Sequence, residues 1–140
     1  MKKHSLEMLG ILSGIVIVLG ITAFFGFKIG AEEDRLNAIA ELVSAQKFAG
    51  VFNSAQELVY GSFRKQVKAK AYYYQAYALY KQGKKDFAEM KLKKMWELDE
   101  EFDHLSENDD FNDFYVDVKE DIISEIRQAK KKELLGARAL

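Results

Sequence analysis

Residues 70–101 read KAYYYQAYALYKQGKKDFAEMKLKKMWELDEE, and apolar residues recur in both halves of this stretch at the three- and four-residue spacing of an α-helix. They are Tyr72, Ala76 and Leu79 in the first half, and Ala88, Leu92, Met95 and Trp96 in the second. Between the halves lies Gly83, which can adopt the left-handed conformation that ends a helix without a steric penalty at Cβ. The stretch therefore predicts two amphipathic helices joined by a tight turn.

A weaker copy of this pattern precedes it. Its apolar positions are Leu36, Ile39, Leu42 and Val43 in a helix from about residue 33 to residue 46, and Val51, Phe52, Ala55, Leu58 and Val59 in a second helix. Gln46 stands where Gly83 stands later, at an offset of 37 residues. We therefore expect an earlier helical hairpin of the same kind.

At these residues the chain resembles the tetratricopeptide repeat family, whose unit of about 34 residues follows W-x2-L-G-x2-Y, then A-x3-F, then P. The matching residues are Tyr72 and Ala76 at the Trp and Gly places, Leu79 at the Tyr place, and Ala88 and Leu92 at the Ala and Phe places. Gln75 and Glu100 depart from the Leu and Pro of the pattern. The resemblance implies two degenerate repeats, over residues 31–63 and 64–101. A plain two-helix hairpin of the same geometry is the alternative.

Residues 102–140 are predicted to hold a linker, one more helix and a basic tail. The helix has a single apolar face made of Phe111, Phe114, Tyr115, Val118, Ile122, Ile123 and Ile126. The terminal apolar face of a repeat array is exposed to water unless another element covers it. We therefore expect this helix to cap the second repeat.

The N-terminus contains twenty residues without a charge, residues 8–27. At about 1.5 Å per residue they span about 30 Å, the thickness of the hydrocarbon core of a bilayer. Residues 1–30 are therefore predicted to form a short tip and a single-pass membrane anchor. A cleaved signal peptide is the alternative, with residues 29–31 as a weak cleavage site, but its apolar region is normally about 7 to 15 residues.

Lys2 and Lys3 precede the apolar stretch, while Lys28 and Arg35 follow it, so the positive-inside signal is nearly balanced. We expect the bacterial inner membrane with the helical domain on the periplasmic side; a domain facing the cytosol is the alternative. Gly10 and Gly14 form a G-x-x-x-G pair on which a second membrane helix could pack, which allows a homo-oligomer.

Composition argues against several classes of protein. The 140 residues contain no Cys and no Pro, which favours an all-α fold and excludes thiol chemistry. His4 and His104 have no second His or Cys to join, so neither a metal site nor a catalytic base is predicted, and no cofactor or enzymatic activity is expected.

The charges are unevenly distributed along the chain, although the net charge is −1. Residues 64–96 contain ten Lys and Arg residues and two acidic residues, whereas residues 97–121 contain one basic residue and twelve acidic residues. Mutual neutralisation across neighbouring helices is therefore favoured over a nucleic-acid site.

A second face of the first helix of the 70–101 hairpin carries tyrosines. In the tetratricopeptide repeat family the first helix of each repeat lines a binding groove, and the positions matching that groove here are Lys70, Tyr73, Tyr77, Tyr80 and Lys81. Tyr offers apolar area with one hydrogen-bonding tip, and Lys offers a donor for carboxylates. The resemblance implies a peptide or helical ligand of acidic character. The alternative is that these rings pack against the first repeat or the last helix.

From the sequence we thus expect a membrane-anchored, non-catalytic adaptor or scaffold that binds a protein or peptide at the membrane. A different hypothesis is a small structural subunit that packs into a larger membrane complex through its apolar helix. In that case Gly10 and Gly14 matter more than the tyrosines.

Overall fold

The computed structural model describes residues 2–104 and 109–138, and it describes side chains from residue 13 onward, apart from Asp109. Within these residues the chain is all-helical, as predicted. The five helices are α1 (Lys2–Ser44), α2 (Phe48–Gly61), α3 (Lys65–Lys81), α4 (Lys85–Leu98) and α5 (Asp109–Arg138). The contacts divide the chain into two compact units, residues 1–34 and residues 35–140.

In unit 1, α1 carries the apolar stretch. Its described part is long and apolar enough to cross a membrane, and none of the apolar window is buried within the protein. The side chains of Ile17, Val18 and Leu19 are 60 to 62% exposed. The sequence predicted a separate helix beginning near residue 33, whereas α1 continues without a break to Ser44. No Pro interrupts this region, and Ala, Glu and Leu favour the helix.

Unit 2 contains two hairpins that repeat at the interval found in the sequence. Helices α2 and α4 each have 14 residues, and they begin at Phe48 and Lys85. The buried residues of α2 are Val51, Ala55, Leu58 and Val59, and those of α4 are Ala88, Leu92, Met95 and Trp96. Each member of the second set lies 37 positions after its counterpart in the first, which is the offset between Gln46 and Gly83.

The two turns are also alike. Gly83 has φ +76°, and the amide of Lys84 donates to the carbonyl of Leu79 at 2.9 Å. At the first turn Gln46 has φ +56°, and the amide of Lys47 donates to the carbonyl of Leu42 at 2.9 Å. Both are Schellman motifs, in which a residue in the left-handed conformation lets the chain satisfy the last carbonyls of a helix.

Replacing Gly83 with alanine is expected to destabilise unit 2 by about 1 to 2 kcal/mol. A Cβ there would meet nothing within 4 Å, so the cost is that of the left-handed backbone alone. Denaturant unfolding followed by the fluorescence of Trp96, the one tryptophan of the chain, measures it. Gly61→Ala is the matched control, because Gly61 has the same free space without a positive φ. Equal stability of the two variants would contradict the prediction.

Helix α3 is the central helix of unit 2. It packs against α2 on one side and against α4 on the other, and from Val67 to Lys81 no residue is fully exposed. Two connected groups of buried side chains result, one joining Leu36 and Ile39 of α1 to α2 and α3, the other joining α3, α4 and α5. The second group contains Phe111, Tyr115, Ile122 and Ile126 of the apolar face predicted for α5.

Candidate functional site

The tyrosines of α3 do not line an open groove. Tyr73 is 1% exposed and Tyr77 is 9% exposed. The ring of Tyr73 lies 5.5 Å from that of Phe111 and 6.0 Å from that of Tyr115, both on α5. The alternative stated from the sequence, that these rings pack against other helices, describes where the structure places them. The groove assignment is corrected for Tyr73 and Tyr77 because α5 covers this face of α3.

Tyr77 and Tyr80 occupy different positions in the same contact. The ring of Tyr77 lies 6.2 Å from Phe48, at the start of α2, and 5.2 Å from Phe111, so it touches both the first hairpin and α5. Tyr80 is only half-buried. Its hydroxyl donates to the backbone carbonyl of Asp110 at 3.0 Å, which holds the start of α5 against the end of α3.

One backbone carbonyl of the linker after α4 accepts hydrogen bonds from two buried side chains. The indole nitrogen of Trp96 donates to the carbonyl of Phe102 at 3.2 Å, and the hydroxyl of Tyr115 donates to the same oxygen at 3.1 Å. Burial, followed by the negative charge of Asp103, raises the pKa of Tyr115 well above its usual range. Phe102 was not predicted from the sequence; the available signal was that a buried indole and phenol each need a hydrogen-bond partner.

His104 packs beside the same part of the linker. Its ring stands perpendicular to that of Tyr73, with the centroids 4.7 Å apart. Burial lowers the pKa of this imidazole, and the nearby charge of Lys70 lowers it further. Lys70 is half-buried. His104 is thus a partly buried aromatic neighbour of Tyr73. Among the described residues no group of three or more His, Cys, Asp or Glu side chains could hold a metal ion.

Three lysines surround the turn between α3 and α4, and we call Lys81, Lys84 and Lys85 the lysine edge. The ammonium of Lys81 lies 5.9 Å from the centroid of the Tyr77 ring, and that of Lys85 lies 5.4 Å from the centroid of Tyr80. None of the three forms an ion pair with a carboxylate in the described part of the chain. The edge therefore combines accessible cations with the one tyrosine of the predicted groove, Tyr80, that is not buried.

Opposite charges pair α5 with α4 and with the linker that follows α4. None of these four pairs joins the basic residues 64–96 to the acidic residues 97–121, so the neutralisation expected from the sequence stays a prediction. Lys93 donates to Glu125 at 2.8 Å, and Arg127 donates to Glu100 at 3.2 Å. Lys130 also donates to Glu100, while Lys119 pairs with Asp103 at 3.3 Å. These pairs are exposed to water, which screens them, so each contributes little to the stability of unit 2.

The predicted membrane-packing residues lie in α1. A Cβ at Gly14 would meet nothing within 4 Å, so its surface is open to a neighbouring helix or to lipid. Gly10 lies in the part of α1 whose side chains are outside the described residues.

Comparison with protein-family models, with curated proteins and with solved structures finds no match for this chain.

Proposed function

We propose that the protein is a membrane-anchored adaptor with tetratricopeptide-like repeats that binds a protein partner through the lysine edge. The single observation that carries the proposal is that these three cations are accessible and have no carboxylate partner in the described structure. The two hairpins have similar turns, and their second helices bury matching positions. This supports the comparison with repeat proteins, which typically bind partners along an extended surface.

The partner suited to this edge is an acidic peptide segment. Lys84 and Lys85 are exposed, and Lys81 is half-buried with its ammonium over a tyrosine ring. Carboxylates of a ligand would take charge-assisted hydrogen bonds from these ammonium groups, while Tyr80 adds apolar contact beside them. Lys70 lies near His104 and is not part of this surface.

The membrane part of the proposal rests on α1. The apolar side chains of Ile15, Val16 and Phe24 are more than half exposed, and none of the apolar window is buried within the protein. A bilayer removes such side chains from water and is the simplest environment for them. We propose a retained single-pass anchor, with unit 2 on the periplasmic side of a bacterial inner membrane. The intact mass of the mature protein distinguishes a retained anchor from a cleaved signal peptide.

The experiment is crosslinking in the native membrane with the full chain, followed by identification of the neighbouring proteins. The variant Lys81→Glu with Lys85→Glu should lose the main crosslinked partner, because two attractive contacts with an acidic segment become repulsive. The control is Lys65→Glu, which reverses an exposed charge at the other end of α3. Unchanged Trp96 fluorescence shows that unit 2 is still folded.

A second candidate, a structural subunit that packs through α1, is favoured by the open surface around Gly14. The same crosslinking experiment separates the two functions. If the neighbours remain in the lysine variant but disappear when Gly10 and Gly14 are both replaced by isoleucine, α1 is the binding element and the adaptor proposal is wrong. If the neighbours disappear only in the lysine variant, the subunit proposal is wrong.

A further inference from the structure

Helix α5 extends well beyond the part that packs on unit 2. Its last buried residue is Ile126, and every residue from Arg127 to Arg138 is exposed. A helical segment of this length without a packed face is only marginally stable in water, because most helical stability in proteins comes from tertiary packing. The ion pairs of Arg127 and Lys130 with Glu100 contact this projecting end, but it has no buried apolar face to support the helix.

The outward face of α5 has an ordered distribution of charge. Its exposed residues recur at alternating spacings of four and three, at Asp113, Asp117, Glu120, Ser124, Arg127, Lys131, Leu134 and Arg138. This is the heptad spacing of a helix-pairing seam, but here the side chains are mostly charged instead of the apolar ones of a coiled coil. The first half of the seam is acidic apart from Ser124, and the second half is basic apart from Leu134. The buried residues Phe111, Tyr115, Ile122 and Ile126 lie on the opposite side of the helix, so the seam is open.

We propose that two copies of the chain pair through this face of α5 in an antiparallel arrangement, about a twofold axis between positions 125 and 126. In this register Asp113 meets Arg138 of the second copy and Glu120 meets Lys131 of the second copy. Twofold symmetry repeats each pair. None of these four side chains has an ion pair within the described part of the chain.

The register also fixes where the exposed apolar side chains lie. Val116 is 58% exposed and Leu135 is 57% exposed, and they flank the seam on opposite sides, so each lies at an edge of the contact. Leu134, which is 66% exposed, falls beside Asp117 of the second copy, and Ser124 falls beside Arg127. Each projecting end would thus lie along the packed half of the other α5, which supplies contacts beyond the ion pairs with Glu100.

An anionic lipid surface is the other occupant that this basic end suggests. A lipid surface would attract Lys131 and Arg138 but would repel Asp113, Asp117 and Glu120, which share the same face of the same helix. A second copy satisfies both halves at once. The charge pattern therefore favours self-association, and this inference does not depend on the proposed adaptor role.

The test uses the full chain in micelles of an uncharged detergent and a water-soluble carbodiimide, which joins a carboxylate to a lysine amine in contact with it. Within one helix Glu120 and Lys131 are separated by about 16 Å, so an amide between them must join two chains. We expect a covalent dimer that contains this 120–131 amide, identified by mass spectrometry of the peptides. Its yield should fall when the salt concentration is raised from about 0.05 M to about 0.5 M.

Charge reversal provides the specific control. For the variants, dimer yield is the dimer fraction measured by analytical ultracentrifugation in the same micelles without carbodiimide, because a variant lacking the Glu120 carboxylate or the Lys131 amine cannot form the 120–131 amide. By this measure Glu120→Lys and Lys131→Glu should each lower dimer yield by roughly tenfold, because two ion pairs become two repulsive contacts. The double variant carrying both changes should restore the yield, because each pair again joins a carboxylate to an amine, with the two positions exchanged. Lys132→Glu, which makes the same change of charge one position outside the seam, should leave the yield unchanged.

Several outcomes would overturn the proposal. They are the absence of any 120–131 amide, a double variant that remains monomeric, and an equal loss of dimer in the Lys132→Glu variant, which would indicate general electrostatic attraction. Binding of the protein to anionic vesicles that is lost in both Lys131→Glu and Lys132→Glu, without a 120–131 amide, would assign the basic end to lipid instead. A dimer that persists in every variant and at high salt would assign association to α1.

Discussion

Replacing Phe111 with alanine is expected to lower the free energy of unfolding of unit 2 by about 3 to 5 kcal/mol. Phe111 is completely buried, and its ring lies 5.2 to 5.5 Å from the rings of Tyr73, Tyr77 and Tyr80. Removing it leaves a cavity at the point where α5 covers α3. The measurement is denaturant unfolding followed by Trp96 fluorescence, which is sensitive to α5 because the Trp96 ring lies 5.0 Å from that of Tyr115.

Phe87→Ala is the matched control for this prediction. The Phe87 side chain is 59% exposed on α4, so its removal should change the stability by no more than about 0.5 kcal/mol. If Phe111→Ala proved as mild as Phe87→Ala, the packing of α5 on the tyrosines would contribute little. That result would contradict the assignment of Phe111 and these tyrosines to one tightly packed core.

The variant Val18→Arg with Leu19→Arg is expected to be released from the membrane. Both positions lie near the middle of the apolar stretch of α1, and both side chains are at least 60% exposed. An arginine at the centre of a membrane helix costs about 2.5 to 3.5 kcal/mol, and two such residues exceed what the remaining apolar side chains readily offset. The measurement is the fraction of protein that resists extraction of the membranes with alkaline carbonate.

The control for this variant is the exchange Val18→Leu with Leu19→Val, which keeps the apolar character and should stay in the membrane fraction. Trp96 fluorescence in both proteins reports whether unit 2 is folded. Complete extraction of the unaltered protein by carbonate would show that α1 is covered by protein rather than by lipid.

Much of the local structure could be predicted from residue spacing. The period of the apolar residues located α2 and α4, and Gly83 located the turn because its φ of +76° is favourable for glycine. The equivalent turn at Gln46 was placed only by its offset from Gly83, since nothing in glutamine itself favours a positive φ. The continuity of α1 was not predicted, because a change from apolar to charged residues ends a hydrophobic stretch without ending a helix.

The candidate site was harder to predict because α3 carries aromatic residues on more than one face. Tyr72 and Tyr73 are neighbours in the sequence, and the comparison with repeat proteins assigned Tyr72 to the buried side and Tyr73 to a groove. In the structure Tyr72 is half-buried, whereas Tyr73 is almost completely buried. Lys84 and Lys85 were not singled out, because a lysine at a turn has no local signal that separates an unpaired cation from a paired one.

The sequence by itself determined that this chain is helical, where its hairpins turn, that they repeat at 37 residues, and that its N-terminal helix is apolar enough to span a membrane. These properties depend on neighbours three or four positions apart and on the conformational freedom of glycine. Only the tertiary structure decided that α5 covers Tyr73 and Tyr77, that the carbonyl of Phe102 joins Trp96 to Tyr115, and that the charged face of α5 remains open. Periodicity shows which residues share a face of a helix, but which segment packs on that face depends on contacts between residues far apart in the chain.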